Sequence, residues 1–171
     1  YYANLSIFRS APDTWAIDQL FPVMPIHRLD EFPSELGQFA DLTCDSDGKL
    51  SRFIDHGSDK SLLELHPLQE KEPYWIGMFL GGAYQEVMGN LHNLFGSTNA
   101  VHVRLNPKGS GYLLDHVLKG DTNANVLKEM QHDPDLILER LRQASETAIQ
   151  QGKLQIEEAR LLMSHLKASL D

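Results

Sequence analysis

Residues 43–48, with the sequence TCDSDG, hold the only cysteine of the chain and place it beside Asp45. One thiol cannot form an internal disulfide, so Cys44 is a buried apolar residue, a link to another chain or a chemical group. The turn residues that follow place it at a strand end, where catalytic side chains are common. A lone cysteine is usually an inert core residue, but a neighbouring carboxylate is costly to bury. Cys44 and Asp45 are therefore candidates for chemistry.

The same segment also suggests a calcium-binding loop, because residues 45–48 read Asp-x-Asp-Gly. An EF-hand loop would need a carboxylate two residues before Asp45 and a glutamate six residues after Gly48. Those positions hold Thr43 and Ile54. The calcium interpretation therefore fails.

The composition is that of an acidic chain with a formal charge of −9 and a pI near 5.3. Such a charge argues against nucleic acid or an anionic membrane as a partner and favours a small cationic ligand. Its 171 residues, 42% of them hydrophobic, can form a sizeable core. No apolar run approaches the roughly 20 residues that span a bilayer. With one cysteine and no disulfide framework, a cytoplasmic location is predicted.

Residues 1–120 predict an antiparallel β-domain, because short apolar runs alternate there with Pro, Gly, Asn and Asp. The chain lacks an initiator methionine and opens in an aromatic, strand-like segment, so we expect a piece of a longer protein. The predicted strands cover residues 2–8, 21–28, 39–44, 50–54, 61–65, 75–80, 100–105 and 112–118. The last two form a hairpin with His102 and Arg104 on its solvent face.

One helix is predicted inside this β-domain, over residues 82–95, directly after the pair Gly81 and Gly82. A helix that begins after glycines exposes unpaired N–H groups, which can hold a phosphate. Tyr84 lies near this predicted start. It is a candidate phosphate ligand, although an aromatic residue in an amphipathic helix is more often a packing residue.

Residues 121–171 predict a helical hairpin, for packing or for oligomer formation. Asp121 with Thr122, and Asp133 with Pro134, are helix start signals, and Gly152 separates the last two helices. His92, His132 and His165 have no His or Cys at metal-ligand spacing, so no metal site is predicted.

Five blocks of the sequence together resemble the C-terminal part of bacterial biosynthetic arginine decarboxylases. They are YYANLSIF at residues 1–8, IDQLFPV at 17–23, DLTCDSDG at 41–48, GAYQE at 82–86 and HNLFG at 92–96. The blocks occur in the same order as in that family, and the resemblance extends over essentially the whole chain. TCDSDG and GAYQE are specific as a pair, whereas either would be weak alone.

The resemblance implies an α+β fold: an antiparallel β-domain like the C-terminal domain of alanine racemase, a Greek-key barrel or sandwich, followed by the helical hairpin. It implies a fold-type III decarboxylase that uses pyridoxal phosphate (PLP), with the cofactor lysine in an N-terminal barrel outside this chain. Mg²⁺ is a further cofactor of such enzymes. Two identical subunits would dock head to tail, so that each site receives the Cys-Asp turn of its partner.

The resemblance also implies roles for the candidate residues. Cys44 would donate a proton to the substrate carbon after carbon dioxide leaves, Asp45 would face the guanidinium of L-arginine, and Tyr84 would lie near the cofactor phosphate. The product, agmatine, would serve polyamine biosynthesis, and the isolated chain would be inactive. The related ornithine decarboxylases have Asp where this chain has Leu5, which argues against ornithine.

Two alternatives stay open. The chain could be a non-catalytic oligomerisation or interaction domain in which Cys44 is merely buried. It could also serve a decarboxylase of another diamino acid, namely lysine, ornithine or diaminopimelate.

Overall fold

The strands in the first part of the chain are short, as the frequent turn residues predict. Each strand pairs with one other strand. The computed structural model describes residues 1–171, which separate into two units, Tyr1–Ser97 and Thr98–Asp171. The first unit contains strands β1 (Val23–Pro25), β2 (Glu35–Gly37), β3 (Phe39–Ala40), β4 (Lys49–Leu50), β5 (Phe53–Ile54), β6 (Asp59–Lys60), β7 (Leu63–Leu65) and β8 (Ile76–Met78). Antiparallel pairs join β1 to β8, β2 to β7, β3 to β4 and β5 to β6.

The core of the first unit is a cluster of four buried side chains, those of Phe39, Phe53, Leu63 and Leu65. The two leucines flank an exposed glutamate in β7, so the two-residue period of a strand places both on the buried face. The rings of Phe39 and Phe53 meet edge to face with centroids 6.2 Å apart, an arrangement that aromatic quadrupoles favour. This core anchors β3, which leads directly into the turn at residues 41–48.

The first residues of the chain form helices and not the strand predicted over residues 2–8. Helix α1 (Ile7–Ser10) begins after Ser6, whose hydroxyl accepts a hydrogen bond from the backbone of the helix. Helix α2 (Pro12–Ala16) follows, with its proline in the first turn. Tyr2 alone makes one bridge to β3. The strand prediction is wrong here, because the serine cap stabilises a helical turn despite the β-propensity of the aromatic residues.

Helix α3 (Ala83–Met88) is shorter than the helix predicted over residues 82–95. Its end is fixed by a distant residue, because the guanidinium of Arg9 donates hydrogen bonds to the carbonyl oxygens of Glu86 and Gly89. These bonds satisfy carbonyl groups that have no partner at a helix end. The apolar period of the sequence continues past this point, but Gly89, at the C-cap position, is a stop signal that the prediction over residues 82–95 passed over.

The second unit consists of one hairpin followed by three helices. Strands β9 (Ala100–Leu105) and β10 (Tyr112–Leu118) pair antiparallel with a bulge between Leu114 and His116. The helices are α4 (Asn123–Glu129), α5 (Pro134–Gln150) and α6 (Ile156–Leu170). His102 and Arg104 are exposed, as predicted, but so is nearly every other hairpin residue.

The start signals predicted for the helices of this unit are confirmed. Thr122 caps α4 and accepts a hydrogen bond from the backbone N–H of Asn125, and Asp133 caps α5 in the same way. Gln155 and Glu158 form a reciprocal capping box at the start of α6. The caps at Thr122 and Asp133 act within a few residues, which is why the sequence predicts them well.

The mixed α and β architecture with antiparallel pairing confirms the coarse fold class. The Greek-key barrel or sandwich, the helical hairpin and the functional division into residues 1–120 and 121–171 stay predictions. By contacts within the chain, the β9–β10 hairpin groups with the helices that follow it.

Candidate functional site

The turn that carries Cys44 is organised by the buried carboxylate of Asp41. Its Oδ2 accepts a hydrogen bond from the backbone N–H of Ile7 at 2.9 Å. Its Oδ1 accepts from the backbone N–H and the hydroxyl of Thr43, at 2.9 and 2.6 Å. Asp41 is only 6% exposed, and its backbone N–H donates to the carbonyl of Gly48 at 2.7 Å. One side chain thus closes the turn and ties it to the start of α1.

Cys44 and Asp45 extend from this turn into solvent, and both are exposed. Cys44 is therefore not a core residue within this chain. Its Sγ accepts a hydrogen bond from the side-chain amide of Asn93, with 3.5 Å between Nδ2 and Sγ. The sequence prediction that the thiol and the carboxylate lie together on a turn agrees with this geometry.

Asp45 pairs with His92, a contact that the sequence did not predict. The distance from His92 Nε2 to Asp45 Oδ2 is 2.6 Å, and the two side chains are 35% and 48% exposed. The imidazole also lies against the ring of Phe8, with centroids 4.6 Å apart. In the sequence His92 stands alone, and the only available signal was its place in the HNLFG block.

Residues 92–95 form a tight turn that presents His92 and Asn93 side by side. The backbone N–H of Phe95 donates to the carbonyl of His92 at 3.0 Å. Asn93 and Leu94 both adopt positive φ, of 51° and 63°. Asn tolerates this left-handed region, whereas a leucine there is strained. The turn replaces the last part of the predicted helix.

Tyr84 lies in the first turn of α3 and is 72% exposed. The next residue, Gln85, is buried and bonded to Asp13, so the helix packs through the glutamine and leaves the phenol free. Gly81 and Gly82 have open space around them. No contact joins Tyr84 to Cys44 or Asp45, so this chain brings together two of the three predicted site residues.

No three His, Cys, Asp or Glu side chains lie together as metal ligands would. The helices are also too short and too polar to cross a membrane.

The chain is similar to known proteins along almost its whole length. Residues 124–171 match the family described as the arginine decarboxylase C-terminal helical extension. Over 99% of its length the chain is 72% identical to the biosynthetic arginine decarboxylase of Synechococcus sp. strain RCC307. It is 58% identical, again over 99% of its length, to the enzyme of that name from Nostoc sp. strain PCC 7120.

The chain matches the C-terminal part of biosynthetic arginine decarboxylases. It spans 26% of the Synechococcus relative and 25% of the Nostoc relative. The crystal structure of the biosynthetic arginine decarboxylase of Campylobacter jejuni superimposes with a TM-score of 0.70 at 34% identity, over 99% of this chain and 28% of that one. The family resemblance read from the five sequence blocks is confirmed.

Proposed function

We propose that the chain is the C-terminal region of an arginine decarboxylase whose full-length form converts L-arginine to agmatine and carbon dioxide for polyamine biosynthesis. The observation that supports this proposal is the exposed thiol of Cys44 beside the exposed carboxylate of Asp45, on one turn that the buried Asp41 closes. A decarboxylase of a cationic amino acid needs a proton donor and a partner for the distal cation, and this turn offers both groups.

Asp45 is the proposed partner of the substrate guanidinium. Its Oδ2 is bonded to His92, whereas its Oδ1 has no partner within the chain. Carboxylates bind guanidinium through short, charge-assisted hydrogen bonds, and each carboxylate oxygen can accept more than one. The net charge of −9 also favours a cationic substrate.

Cys44 is the proposed proton donor. When the bond between the substrate carbon and its carboxylate breaks, the electron pair stays with the substrate, and the thiol proton passes to that carbon. Solvent then returns a proton to the thiolate. Bound PLP supplies the electron sink for this pair.

The residues present fit a peripheral part of a PLP site. The phenol of Tyr84 is exposed beside two unobstructed glycines, so it can donate a hydrogen bond to a phosphate oxygen. The lysine that attaches the cofactor belongs to the proposed barrel outside this chain, and the isolated chain is therefore inactive. The residues present do not fit Mg²⁺, because no cluster of carboxylates is available to hold it.

Identical subunits are the proposed partners, docked so that residues 1–120 complete the active site of the neighbour. The helical segment, residues 121–171, follows this β-domain. A single unpaired thiol suits a reducing compartment, so we place the protein in the cytoplasm.

A non-catalytic interaction role is the second candidate, and the β9–β10 hairpin favours it. Val103, Leu105 and Tyr112 are each more than half exposed there. Exposed apolar patches of this kind mark contact surfaces. This role predicts that substitutions in the Cys44 turn leave catalysis by the full-length protein unchanged.

The proposal is tested by comparing Cys44→Ala and Asp45→Ala in the full-length protein. We expect Cys44→Ala to lower kcat for agmatine formation with little change in KM, because proton donation follows substrate binding. Asp45→Ala should mainly raise KM, since losing one partner of a desolvated charge pair costs about 2–5 kcal/mol, or about 30-fold and more in affinity. Steady-state assays with arginine, lysine, ornithine and diaminopimelate measure both effects and the substrate choice.

Asp47→Ala is the matched control, because Asp47 is an exposed carboxylate on the same turn whose side chain has no partner. It should retain both kinetic constants. A wild-type enzyme that does not release carbon dioxide from arginine, or equal affinity defects in the Cys44 and Asp45 variants, would contradict the proposed roles.

A further inference from the structure

Two adjacent residues of the 92–95 turn contact the two adjacent residues proposed for the chemistry. His92 bonds to Asp45, and Asn93 bonds to Cys44. The contacts span 47 and 49 residues of sequence. We propose that His92 and Asn93 are positioning residues that fix Asp45 and Cys44 for substrate, an inference that rests on the proposed function.

His92 can orient the carboxylate of Asp45 because its own ring is held. An ionised carboxylate only accepts hydrogen bonds, so His92 carries the shared proton on Nε2 and donates it to Oδ2. The ring of Phe8 lies against the imidazole and is itself packed against Trp15, with ring centroids 5.3 Å apart. The carboxylate therefore points its Oδ1 and its remaining lone pairs away from His92, where a guanidinium can approach.

Asn93 acts on the sulfur of Cys44 through the N–H of its side-chain amide, which donates a hydrogen bond to it. A thiol sulfur is a weak acceptor, whereas the thiolate left after proton donation carries a full negative charge and accepts strongly. The amide N–H of Asn93 therefore stabilises the product of the proton transfer more than its starting state. Asn93 has a φ of 51°, and its amide nitrogen lies 3.5 Å from the sulfur while His92 faces the carboxylate.

A purely structural role for these residues predicts something different. If His92 and Asn93 served only to hold the two turns together, each substitution would lower stability and affect kcat and KM together. A positioning role predicts separate effects instead, on KM for His92 and on kcat for Asn93, without a matching loss of stability. The loss from a His92 variant should vanish when Asp45 is already absent, and the loss from an Asn93 variant should vanish without Cys44.

The first test is a double-mutant cycle in the full-length enzyme with His92→Ala, Asp45→Ala and the double variant. His92→Ala should raise KM for arginine about tenfold with kcat nearly unchanged, because a lost hydrogen bond to a charged group loosens the carboxylate. In the Asp45→Ala background it should cause no further rise. His92→Gln keeps an N–H donor and should recover most of the affinity.

His56→Ala is the control for this cycle. His56 is an exposed histidine of the same unit, and its imidazole makes no hydrogen bond. Its substitution should leave KM at the wild-type value. Thermal unfolding of every variant is measured alongside, so that a folding defect in His92→Ala is recognised and the His92→Gln variant then carries the test.

The second test uses Asn93→Gly, which keeps the left-handed backbone but removes the amide, and Asn93→Asp, which replaces the donor by a negative charge. Both should lower kcat about tenfold or more with KM nearly unchanged, and neither should lower it further in a Cys44→Ala background. Iodoacetamide labelling of Cys44, followed by peptide mass analysis, should be slower in Asn93→Asp than in wild type because the charge disfavours the thiolate.

The outcomes separate the two hypotheses. A wild-type enzyme inactive on arginine overturns the proposed function and this inference with it. An active wild type whose His92 and Asn93 variants keep wild-type kinetics, or whose defects add to those of the Asp45 and Cys44 variants, overturns the positioning roles alone.

Discussion

At the scale of single residues, Gly48 shows how closely the site is packed. A Cβ atom at this position would lie 2.1 Å from Oδ1 of Asp41 and 2.6 Å from the hydroxyl of Thr43. Both atoms belong to the hydrogen bonds that close the turn. Only glycine leaves room for the Asp41 carboxylate, so the turn depends on residue 48 although this residue takes no part in the proposed chemistry.

Gly48→Ala should therefore damage the site without touching its reactive groups. The methyl group must displace Asp41, and such overpacking costs about 1–3 kcal/mol of stability. We expect a thermal unfolding midpoint several degrees lower and reduced decarboxylation by the full-length protein. Gly109→Ala is the control, because a Cβ there meets no atom within 4 Å. Equal midpoints for the two variants would show that the turn can relax around the methyl group.

The sequence predicted part of this site and could not predict the rest. Cys44 and Asp45 are neighbours in a motif with turn chemistry, so local reasoning found them. His92 lies 47 residues from its partner, and no local pattern announces a hydrogen bond across that distance. Asp41 fell inside the strand predicted over residues 39–44, and its role as a buried acceptor depends on Ile7, which the sequence also placed in a strand.

At the scale of secondary structure, elements set by local signals were predicted best. The caps at Thr122 and Asp133 define α4 and α5 because the signal and the bond lie within one turn of helix. Helix α3 ends early at the local stop signal Gly89, where Arg9, far away in the sequence, also caps its carbonyl groups. The glycine could have been read from the sequence, whereas propensity and period carry no information about the long-range cap by Arg9.

An ion pair on the exposed face of α5 predicts how the stability of the protein depends on pH. Arg142 donates two hydrogen bonds to Glu139, at 2.7 and 2.9 Å, and with Gln143 these lower the pKa of Glu139 from 4.5 to about 2. A carboxylate with a lowered folded pKa stabilises the protein above its unfolded pKa and loses that effect as the pH falls toward the folded value. Glu139→Gln should thus lower the unfolding midpoint slightly at pH 7, and the difference from wild type should shrink between about pH 4.5 and pH 2.

Circular dichroism melts over this pH range measure the difference. The effect is small because both side chains are about half exposed, and added salt should reduce it further. Glu129→Gln is the control, since the side chain of Glu129 has no partner. A constant difference across the pH range would exclude the ion pair as its source.

At the scale of the whole molecule, the proposal extends beyond this chain. Several large apolar side chains are almost fully exposed, among them Phe32, Leu80 and Leu105. Such residues are costly to leave in water, and contacts with other parts of a longer protein or with another subunit would cover them. A hydrophobic pattern distinguishes apolar from polar positions, but it does not tell which apolar face meets the rest of the same domain and which meets a partner.

Subunit mixing tests whether the site is shared between chains. Full-length Cys44→Ala subunits mixed with subunits that lack the cofactor lysine should form hybrid dimers with one intact site each. Half the dimers would be hybrids after random exchange of equal amounts, so roughly a quarter of wild-type activity should return. If mass analysis confirms hybrids but the mixture stays inactive, the Cys44 turn serves its own chain.

The bonds of Arg9 also set the order in which the protein can assemble during synthesis. Its guanidinium holds the carbonyl of Gly89 and the hydroxyl of Ser97, across 80 and 88 residues of chain. Contacts this far apart in sequence close large loops and form late. On the ribosome, the first helix must wait until residue 97 has emerged before these bonds can form. Slow or paused translation in this interval would leave the residues of α1 exposed to proteases and chaperones.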